Sequence, residues 1–377
     1  MIDELLERAL SGGGAAAELL RAHRAAVVAS AGGGSRRWVA EAEEAAARDP
    51  SSAFAFGADG HATLAVGPRR YAAGRFETPA LKELRAAAIA ARRAGPLRVF
   101  VLDGASPVTD IGALQAFAPP DTLFQVASQF NCLEAPDACI VPVSDYLHDP
   151  TQGPRAAVSC FPGALLRHHA APGPGGARFT QIEDGAQVNL LEAVCAPGVA
   201  RVQNGYLMDQ NIDDPVQFAR WLDERFDDLR VGLHTGLEVV LGYAWDGSVP
   251  GAPQLRIAQA LTSTLAGGGY SAGRLDAAWF DAVCVRLQRA AQLGTLLGAV
   301  AAGAKRAVLT LIGGGVFGNR VPLIWEAILW AADEVARTGA GLDVVVNGRN
   351  LGRHVPWEAL LRDTVARGGT AIETEAR

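Results

Sequence analysis

The chain has 377 residues, of which 49% are hydrophobic and 20% charged, and its formal net charge is -6. This length fits two modest domains or one large domain, and the composition is that of an ordinary globular protein. The acidic balance gives no general attraction to polyanions, so nucleic acid is disfavoured as the main partner.

The sequence contains no pattern that predicts membrane insertion or export. The longest apolar stretch, residues 293–304, has the length of a buried helix and is too short to cross a bilayer. The acidic, amphipathic start MIDELLERAL lacks the basic and then apolar pattern of a signal peptide. We therefore expect a cytoplasmic protein without a membrane partner.

The cysteines give neither a disulfide nor a metal pattern. They are five in number and lack CxxC or any other tight spacing. We expect free thiols, mostly buried, and no metal site. The residues are Cys132, Cys139, Cys160, Cys195 and Cys284.

The N-terminal segment is rich in alanine and helical in pattern over residues 1–50. Glycine triplets at 12–14 and 32–34 interrupt this pattern, because glycine in a helix interior costs about 1 kcal/mol. The segment is therefore predicted to be a peripheral helical appendage.

A hairpin and a helix are predicted next. The runs 54–56 and 62–66 flank Asp59-Gly60, a pair that favours a tight hairpin turn. Thr78-Pro79 then predicts an N-cap followed by proline at the first position of a helix that ends near residue 93. We assign residues 1–95 to an N-terminal extension and residues 96–377 to the main domain.

From residue 97 onward, strands alternate with helices. The short apolar runs 97–102 and 122–127 are typical of strands that are covered on both faces. Further strands are predicted at 187–194, 200–206, 229–241 and 256–265.

The C-terminal part of the sequence predicts a crossover unit, in which a strand is followed by a loop, a helix and a second strand. A long helix over residues 276–304 leads into a strand at 307–312, and a glycine loop follows. A helix at 322–338 and a strand at 342–346 complete the unit.

The glycine loop Gly313-Gly314-Gly315-Val316-Phe317-Gly318 formally fits GxGxxG. Glycines let backbone N–H groups approach a diphosphate, and the N-terminus of the following helix adds partial positive charge. We expect the loop to bind the diphosphate of a nucleotide. A tight strand-to-helix turn without a ligand is the alternative interpretation.

Two common nucleotide folds fit the loop poorly. A P-loop needs Gly-Lys-Ser or Gly-Lys-Thr, where this chain has Gly318-Asn319-Arg320. A Rossmann site needs an acid at the end of the next strand, which here ends at Asn347, and more chain than remains after the loop. An NAD(P)-linked oxidoreductase is an alternative that only the formal glycine pattern favours.

Three short segments carry a family resemblance. Val108-Thr109-Asp110-Ile111 is similar to Gly-Asp-Ile-Thr, and residues 124–131 are similar to a strand ending in Asn-Ala-Ala-Asn. Gly315-Val316-Phe317-Gly318 is similar to a Gly-Val-Phe-Gly diphosphate loop. On these segments, residues 96–350 resemble the macrodomain superfamily, in an outlying branch near the poly(ADP-ribose) glycohydrolases.

The resemblance implies a nucleotide site. Asp110 would accept a hydrogen bond from the adenine amino group, Asn131 would contact the distal ribose, and Phe317 would stack near that ribose. The predicted nucleotide-binding residues are Asp110, Ile111, Asn131, Gly313, Gly314, Gly315, Val316, Phe317, Gly318 and Asn319.

The chain departs from this branch at its paired glutamates. Glycohydrolases of the branch carry three glycines and then Gln-Glu-Glu after the asparagine strand, where this chain has Asp149-Pro150-Thr151-Gln152. The general acid has no direct counterpart here. A non-catalytic reader of ADP-ribose is therefore an alternative function.

Cleavage of an ADP-ribosyl bond needs a carboxylic acid or a well-placed water. The catalytic candidates are Glu134, Asp149, Gln152 and Glu238, and alternation along a strand puts Glu238 on one face with His234. A loose match to the branch's late Gln, Ser and Tyr pattern is Gln259, Ser263 and Tyr270.

The pair His168-His169 could bind phosphate or a metal. Adjacent residues on a helix point in different directions, however. We expect the pair to lie on a solvated polar face.

Together these patterns predict a three-layer α/β/α macrodomain-like core with a mixed sheet and an N-terminal helical and hairpin extension. The expected function is binding of ADP-ribose or a related NAD-derived nucleotide, with hydrolysis of an ADP-ribosyl linkage as a further expectation. The ligand would be the free nucleotide or an ADP-ribosylated macromolecule, and no tightly held cofactor is expected.

Overall fold

A computed structural model describes residues 2–11, 15–29, 35–127, 129–243 and 255–374. The glycine triplets predicted to interrupt the N-terminal helices lie outside the described residues.

Helices lie in each segment that was predicted to be helical, namely parts of residues 1–50, 79–93, 276–304 and 322–338, and in further segments for which no helix was predicted. Their bounds are α1 Ile2–Ser11, α2 Ala15–Ala29, α3 Ser35–Arg48, α4 Pro50–Ala53, α5 Leu81–Ala91, α6 Ile111–Ala116, α7 Gln152–Ser159, α8 Phe161–His169, α9 Pro215–Glu224, α10 Ala277–Ala301, α11 Val321–Ala336 and α12 Trp357–Val365.

The strands are short, as expected for a layered α/β protein. Their bounds are β1 Phe54–Phe56, β2 Ala62–Val66, β3 Arg69–Glu77, β4 Leu97–Asp103, β5 Thr122–Ala127, β6 Ala171–Pro172, β7 Arg178–Phe179, β8 Leu207–Met208, β9 Gly232–Glu238, β10 Arg256–Thr262, β11 Leu265–Ala266, β12 Arg306–Leu309, β13 Leu342–Asn347 and β14 Ala371–Glu373.

One mixed sheet organises the molecule. Within the described residues it has ten strands in the order β1-β2-β3-β9-β10-β5-β12-β13-β4-β14. In this order the last six strands run parallel to one another, and the first four are antiparallel to their neighbours. The parallel strands are β10, β5, β12, β13, β4 and β14. The parallel strands all end at one edge of the sheet, where open α/β sheets bind ligands.

Helices cover both faces of the sheet, as predicted. On one face, Gln259 of β10 donates to the Ala156 carbonyl of α7, and Phe100 and Val345 meet Leu5 of α1. On the other face, Gln125 of β5 donates to Gln292 of α10. Because strands β4, β5, β12 and β13 are buried from both sides, they carry the apolar runs that marked them in the sequence.

Two predicted strands are wrong. Residues 187–194 form turns, in which the Asn189 side chain accepts from the Leu191 amide and Val194 N donates to Leu191 O. Residues 200–206 make only isolated bridges, and Asn204 and Gly205 have positive φ in a tight turn. Side chains that bond to nearby backbone offer an alternative to a strand ladder.

Helix α5 begins later than predicted. Ala80, and not Thr78, is its N-cap, and the Glu83 carboxylate accepts from the Ala80 amide at 2.7 Å. The residues before it are held extended, since Val231 N donates to Pro79 O and Leu81 N donates to Leu229 O. Pairing with a distant segment overrides the local helix-start signal.

The N-terminal hairpin forms as predicted, and it continues the central sheet. β1 and β2 pair in antiparallel fashion, β2 pairs with β3, and β3 pairs with β9. Helix α5 packs against α10. The division at residue 95 stays a prediction.

The five cysteines are free thiols, and Cys132, Cys160 and Cys284 are buried. Burial raises the pKa of each of these three thiols. In the described ranges, no helix combines the length and apolar character that crossing a membrane requires.

Candidate functional site

A cleft of about 550 Å³ opens at the carboxyl edge of the parallel strands. This volume is within the range of small-molecule sites. The glycine loop forms one wall, the start of α7 another, and the ends of β12 and β13 the floor. The lining residues are Ala135, Pro136, residues 149–154, Tyr206, Tyr270, residues 310–317, Val321, Asn347, Arg349 and His354.

The glycine loop is a closed turn with free amides at its tip. Gly313 and Gly318 have φ of 77° and 64°, a conformation that favours glycine. Asn319 N donates to Gly313 O at 2.9 Å and closes the turn. Within the described part of the chain, the amides of Gly315, Val316 and Phe317 have no hydrogen-bond acceptor. These three donors at the mouth of the cleft can bind an anion.

Side chains behind the loop hold its shape. Asn319 Nδ2 donates to Leu265 O at 2.8 Å, and Gln288 Nε2 of α10 donates to Ile312 O at 2.7 Å. Gly267 N donates to Phe317 O at 3.0 Å. Asn319, predicted as a ligand contact, is therefore buried behind the loop and supports it, and it does not line the described cleft.

An aromatic wall faces the glycine loop. Tyr206 and Tyr270 stack with ring centroids 5.1 Å apart, and Phe317 meets both edge-on at 5.8 and 5.5 Å. The Tyr206 hydroxyl donates to Ala135 O at 3.2 Å. All three residues line the cleft, but Tyr206 and Phe317 are each 2% exposed, so the partly buried Tyr270 ring is the one that can offer apolar contact to a base or a ribose.

The floor of the cleft carries polar groups. Asn347 Nδ2 donates to Thr109 O at 2.9 Å, which leaves Asn347 Oδ1 without a donor in the described structure. Gln152 Oε1 accepts from Ile111 N at 3.0 Å, which leaves Gln152 Nε2 without an acceptor there. Both residues line the cleft, and each carries one buried polar atom without a partner in the described structure.

Arg349 contributes a guanidinium group to the lining of the cleft. Burial lowers its pKa, while the Asp110 carboxylate nearby acts to raise it. Its backbone has a positive φ of 35° at the bend after β13. An arginine stays protonated under such shifts, so Arg349 brings positive charge to the lining.

Asp110 and Ile111 lie behind the cleft wall. The Asp110 carboxylate accepts from Ala113 N at 3.0 Å as the N-cap of α6 and forms a buried ion pair with Arg155 of α7. Asp110 is 1% exposed, and neither Asp110 nor Ile111 lines the described cleft. The adenine contact implied by the resemblance stays a prediction.

Asn131 is a structural residue in this fold. Its Oδ1 accepts from Leu133 N at 3.1 Å, its Nδ2 donates to Gln187, and a side chain at Gly205 would collide with it. It is fully buried and does not line the described cleft. The ribose contact implied by the resemblance stays a prediction.

The four catalytic candidates separate in space. Asp149 and Gln152 line the cleft, whereas Glu134 is fully buried beside Ala135, which does line it. Glu238 lies on β9, where its carboxylate accepts from Ala72 N of β3 at 2.7 Å. Burial raises the pKa of Glu238, but its position in the sheet gives it a structural role.

The predicted shared face of His234 and Glu238 is wrong. A register shift between Ile257 and Gln259 of β10 adds a residue to β9, and His234 and Leu237 both lie beside Gly163. His234 is buried, where it donates from Nε2 to Ala73 O at 2.7 Å and accepts from Arg167 at 3.0 Å.

The predicted solvated face at His168-His169 is also wrong. Both residues are 7% exposed, and their rings stack with centroids 4.2 Å apart. The last turn of α8 is covered by α3, which contributes Glu43.

Several lining residues were absent from the sequence predictions. They are Tyr206, Thr310, Asn347, Arg349 and His354. Asn347 could have been found, because it ends a predicted parallel strand at the ligand edge. Thr310 could have been found in the same way, because it lies in the predicted strand that leads into the glycine loop. Tyr206, Arg349 and His354 enter from turns whose approach to the cleft depends on long-range packing.

The fold and the cleft define an α/β protein with a small-molecule-sized site at the carboxyl edge of its parallel strands. No protein-family model matches the sequence, and no curated protein matches it either.

Among solved structures, the chain is similar to bacterial poly(ADP-ribose) glycohydrolases. The enzyme from Thermomonospora curvata is 16% identical, with 83% of this chain and 92% of that chain covered and a TM-score of 0.40. The enzyme from Deinococcus radiodurans in complex with ADP-ribose is 13% identical, with 76% and 93% covered and a TM-score of 0.44. These values are too low to transfer a residue role or an activity.

Proposed function

We propose that the cleft binds ADP-ribose or a related NAD-derived nucleotide, with the diphosphate on the glycine loop. The observation that carries this proposal is the row of three free amides at Gly315, Val316 and Phe317. A diphosphate offers acceptor oxygens to several N–H groups at once, and α11 begins directly after the loop at Val321.

The other walls fit the remaining parts of such a ligand. The ring of Tyr270, backed by the buried rings of Tyr206 and Phe317, provides a stacking surface. Asn347 Oδ1 can accept from an exocyclic amine, and Gln152 Nε2 can donate to a ring nitrogen. This pairing of one acceptor with one donor suits adenine, and Arg349 favours an anionic ligand.

Replacing Val316 tests the diphosphate contact. Val316 is 59% exposed at the tip of the loop, so Val316→Asp adds a negative charge without disturbing the core. Repulsion on the order of 1 kcal/mol or more would weaken ADP-ribose binding about fivefold to tenfold in isothermal titration. The effect should shrink at about 1 M salt, where the screening length falls to about 3 Å.

Val316→Asn is the matched control, because it has nearly the same shape as the aspartate and no charge. It should keep an affinity close to that of the unmodified chain. Equal affinities for the Asp and Asn variants would contradict a diphosphate on this loop. NAD and AMP titrated alongside separate the alternatives, since tight NAD(H) binding with hydride exchange would favour an NAD(P)-linked oxidoreductase.

Hydrolysis of an ADP-ribosyl linkage is a second candidate function. The observation that favours it is Asp149, a carboxylate that lines the cleft across from the glycine loop. A carboxylic acid there could protonate a leaving group or position a water. A non-catalytic reader is the alternative, because the chain lacks the paired glutamates of the glycohydrolases it resembles.

A further inference from the structure

A buried cluster outside the cleft combines two histidines with one carboxylate. His168 and His169 end α8, and Glu43 comes from α3. One ligand atom from each residue lies within 4.8 Å of the others. All three residues are at least nine-tenths buried. Buried imidazole and carboxylate groups in this combination are typical ligands of zinc and related divalent ions.

The ligand atoms lie near the separations of a metal site, and His169 Nε2 is hydrogen-bonded to Glu43 Oε1. His169 Nε2 lies 2.7 Å and His168 Nδ1 lies 3.9 Å from the same oxygen, Glu43 Oε1. With metal–ligand bonds of about 2.0–2.2 Å, atoms of a tetrahedral zinc site lie roughly 3.4 Å apart. The two observed distances lie on either side of that value. The rings are stacked nearly parallel, so His168 would turn out of the stack to bring both nitrogens onto one ion.

One nitrogen of the cluster has no partner that would explain its burial. His168 Nδ1 has no hydrogen-bond partner in the described structure, and the side chain is 9% exposed. A buried polar atom of this kind normally has a protein, water or metal partner. It lies 3.9 Å from Glu43 Oε1, a distance too long for a hydrogen bond.

The second oxygen of the carboxylate is fixed in place. Ser144 N donates to Glu43 Oε2 at 3.2 Å, which leaves Oε1 for the two histidines. Outer-shell hydrogen bonds of this type orient the ligands of a metal site. The cluster thus has three converging ligand atoms and one orienting contact.

We propose that Glu43, His168 and His169 bind one divalent transition-metal ion of the zinc class, with water completing the coordination. The ion ties α3 to the end of α8, and none of its three ligand residues lines the described cleft. Its role is structural, because both elements contribute ligands and the site is closed to substrate-sized molecules.

The test uses the full chain without a histidine tag, treated with a chelator and then titrated with cobalt. We expect about one equivalent of Co²⁺ to bind, with visible d–d absorption and no thiolate-to-metal charge-transfer band. Zinc should displace the cobalt and raise the melting temperature. Absence of stoichiometric binding, or a charge-transfer band that places the ion on a cysteine, would overturn the proposal.

Substitutions at the proposed ligands test where the ion binds. His168→Gln and Glu43→Gln should each weaken cobalt binding by at least about 100-fold. Glu43→Gln still has an oxygen for the Ser144 amide, so its circular dichroism should match that of the unmodified chain. His148→Gln, at an exposed histidine nearby, is the matched control and should bind cobalt normally. Equal binding by all three variants would refute the site.

Discussion

At the scale of single residues, Asp149 decides between an enzyme and a reader. Its Oδ1 accepts from Thr151 N at 2.7 Å, a bond that an asparagine can also accept. Asp149→Asn therefore removes the acid and keeps the loop. If the protein releases ADP-ribose from a modified protein, this variant should lose roughly 100-fold or more of that rate, since general acid catalysis contributes about 10²–10⁴-fold. Its affinity for ADP-ribose should change little.

Glu238→Gln is the matched control for this experiment. Glu238 was a catalytic candidate in the sequence, but its carboxylate serves the Ala72 amide in the sheet, and a glutamine can replace that contact. Glu238→Gln should therefore release ADP-ribose at the same rate as the unmodified chain. If Asp149→Asn releases ADP-ribose as fast as the unmodified chain, Asp149 takes no part in the mechanism. If the unmodified chain releases no ADP-ribose, the non-catalytic reader is favoured.

Residue types in short motifs were predictable, whereas their partners were not. Asp110 stands where the resemblance expects an adenine contact, yet it pairs with Arg155, which is remote in sequence. Asn131 is likewise occupied by Gln187 and the Leu133 amide. A motif records the residue type at a position, but long-range neighbours decide whether a side chain faces a ligand or the core.

At the scale of elements, α10 supports the glycine loop through a buried row of amides. Gln288 is fully buried and donates to Ile312 O, and Gln292 donates to Gln288 at 3.3 Å. Gln125 of β5 connects this row to the loop by accepting from Thr310 N at 3.1 Å. Each of these side chains sits on an element that was predicted from its apolar pattern alone.

Gln288→Leu tests this support. It leaves the buried Ile312 carbonyl without its donor, which should lower the free energy of unfolding by about 1–3 kcal/mol in urea titrations followed by circular dichroism. Affinity for ADP-ribose should fall as well, because the glycine loop loses a hydrogen bond that holds its shape. Gln203→Leu, the same change at an exposed glutamine, should shift stability by no more than about 0.5 kcal/mol. Equal stability of the two variants would refute a supporting role for Gln288.

Elements with strong periodicity were predicted well, and irregular ones were not. α10, α11, β4, β5 and β13 lie close to their predicted positions because length and hydrophobic pattern mark them. The extra residue in β9 escaped prediction, since it depends on the register with β10. The turns over residues 187–206 escaped as well, because polar side chains there bond to the backbone.

At the scale of the whole molecule, the N-terminal segment and the main domain share one sheet and its covering layers. β3 pairs with β9, and α3 packs on α8. The sequence indicated the hairpin and the helices but not where they dock, because docking is set by pairing between residues more than 150 positions apart, such as Phe76 with His234. A change in the stability of the N-terminal helices should therefore change the free energy of unfolding of the whole molecule.

The pH dependence of unfolding tests this coupling through His23 of α2. His23 is 4% exposed and packs edge-on against Phe117, with ring centroids 5.1 Å apart. Burial lowers its pKa from 6.5 to about 4. Between those two values the unfolded chain binds a proton that the folded chain does not, so this group's contribution to stability falls as pH drops below about 6.5. The loss reaches at most about 1.4 kcal/mol per pH unit.

His23→Leu keeps an apolar contact with Phe117 and removes the titrating group. Relative to the unmodified chain, its free energy of unfolding should therefore rise as pH falls from 6.5 toward 4. Leu20→Ala in the same helix is the control, since the loss of a buried leucine lowers stability by a similar amount at every pH. Urea titrations at a series of pH values measure both differences. A stability difference between His23→Leu and the unmodified chain that does not change with pH would mean that α2 opens before the rest of the molecule unfolds, so that His23 is already solvated in the state that is being measured.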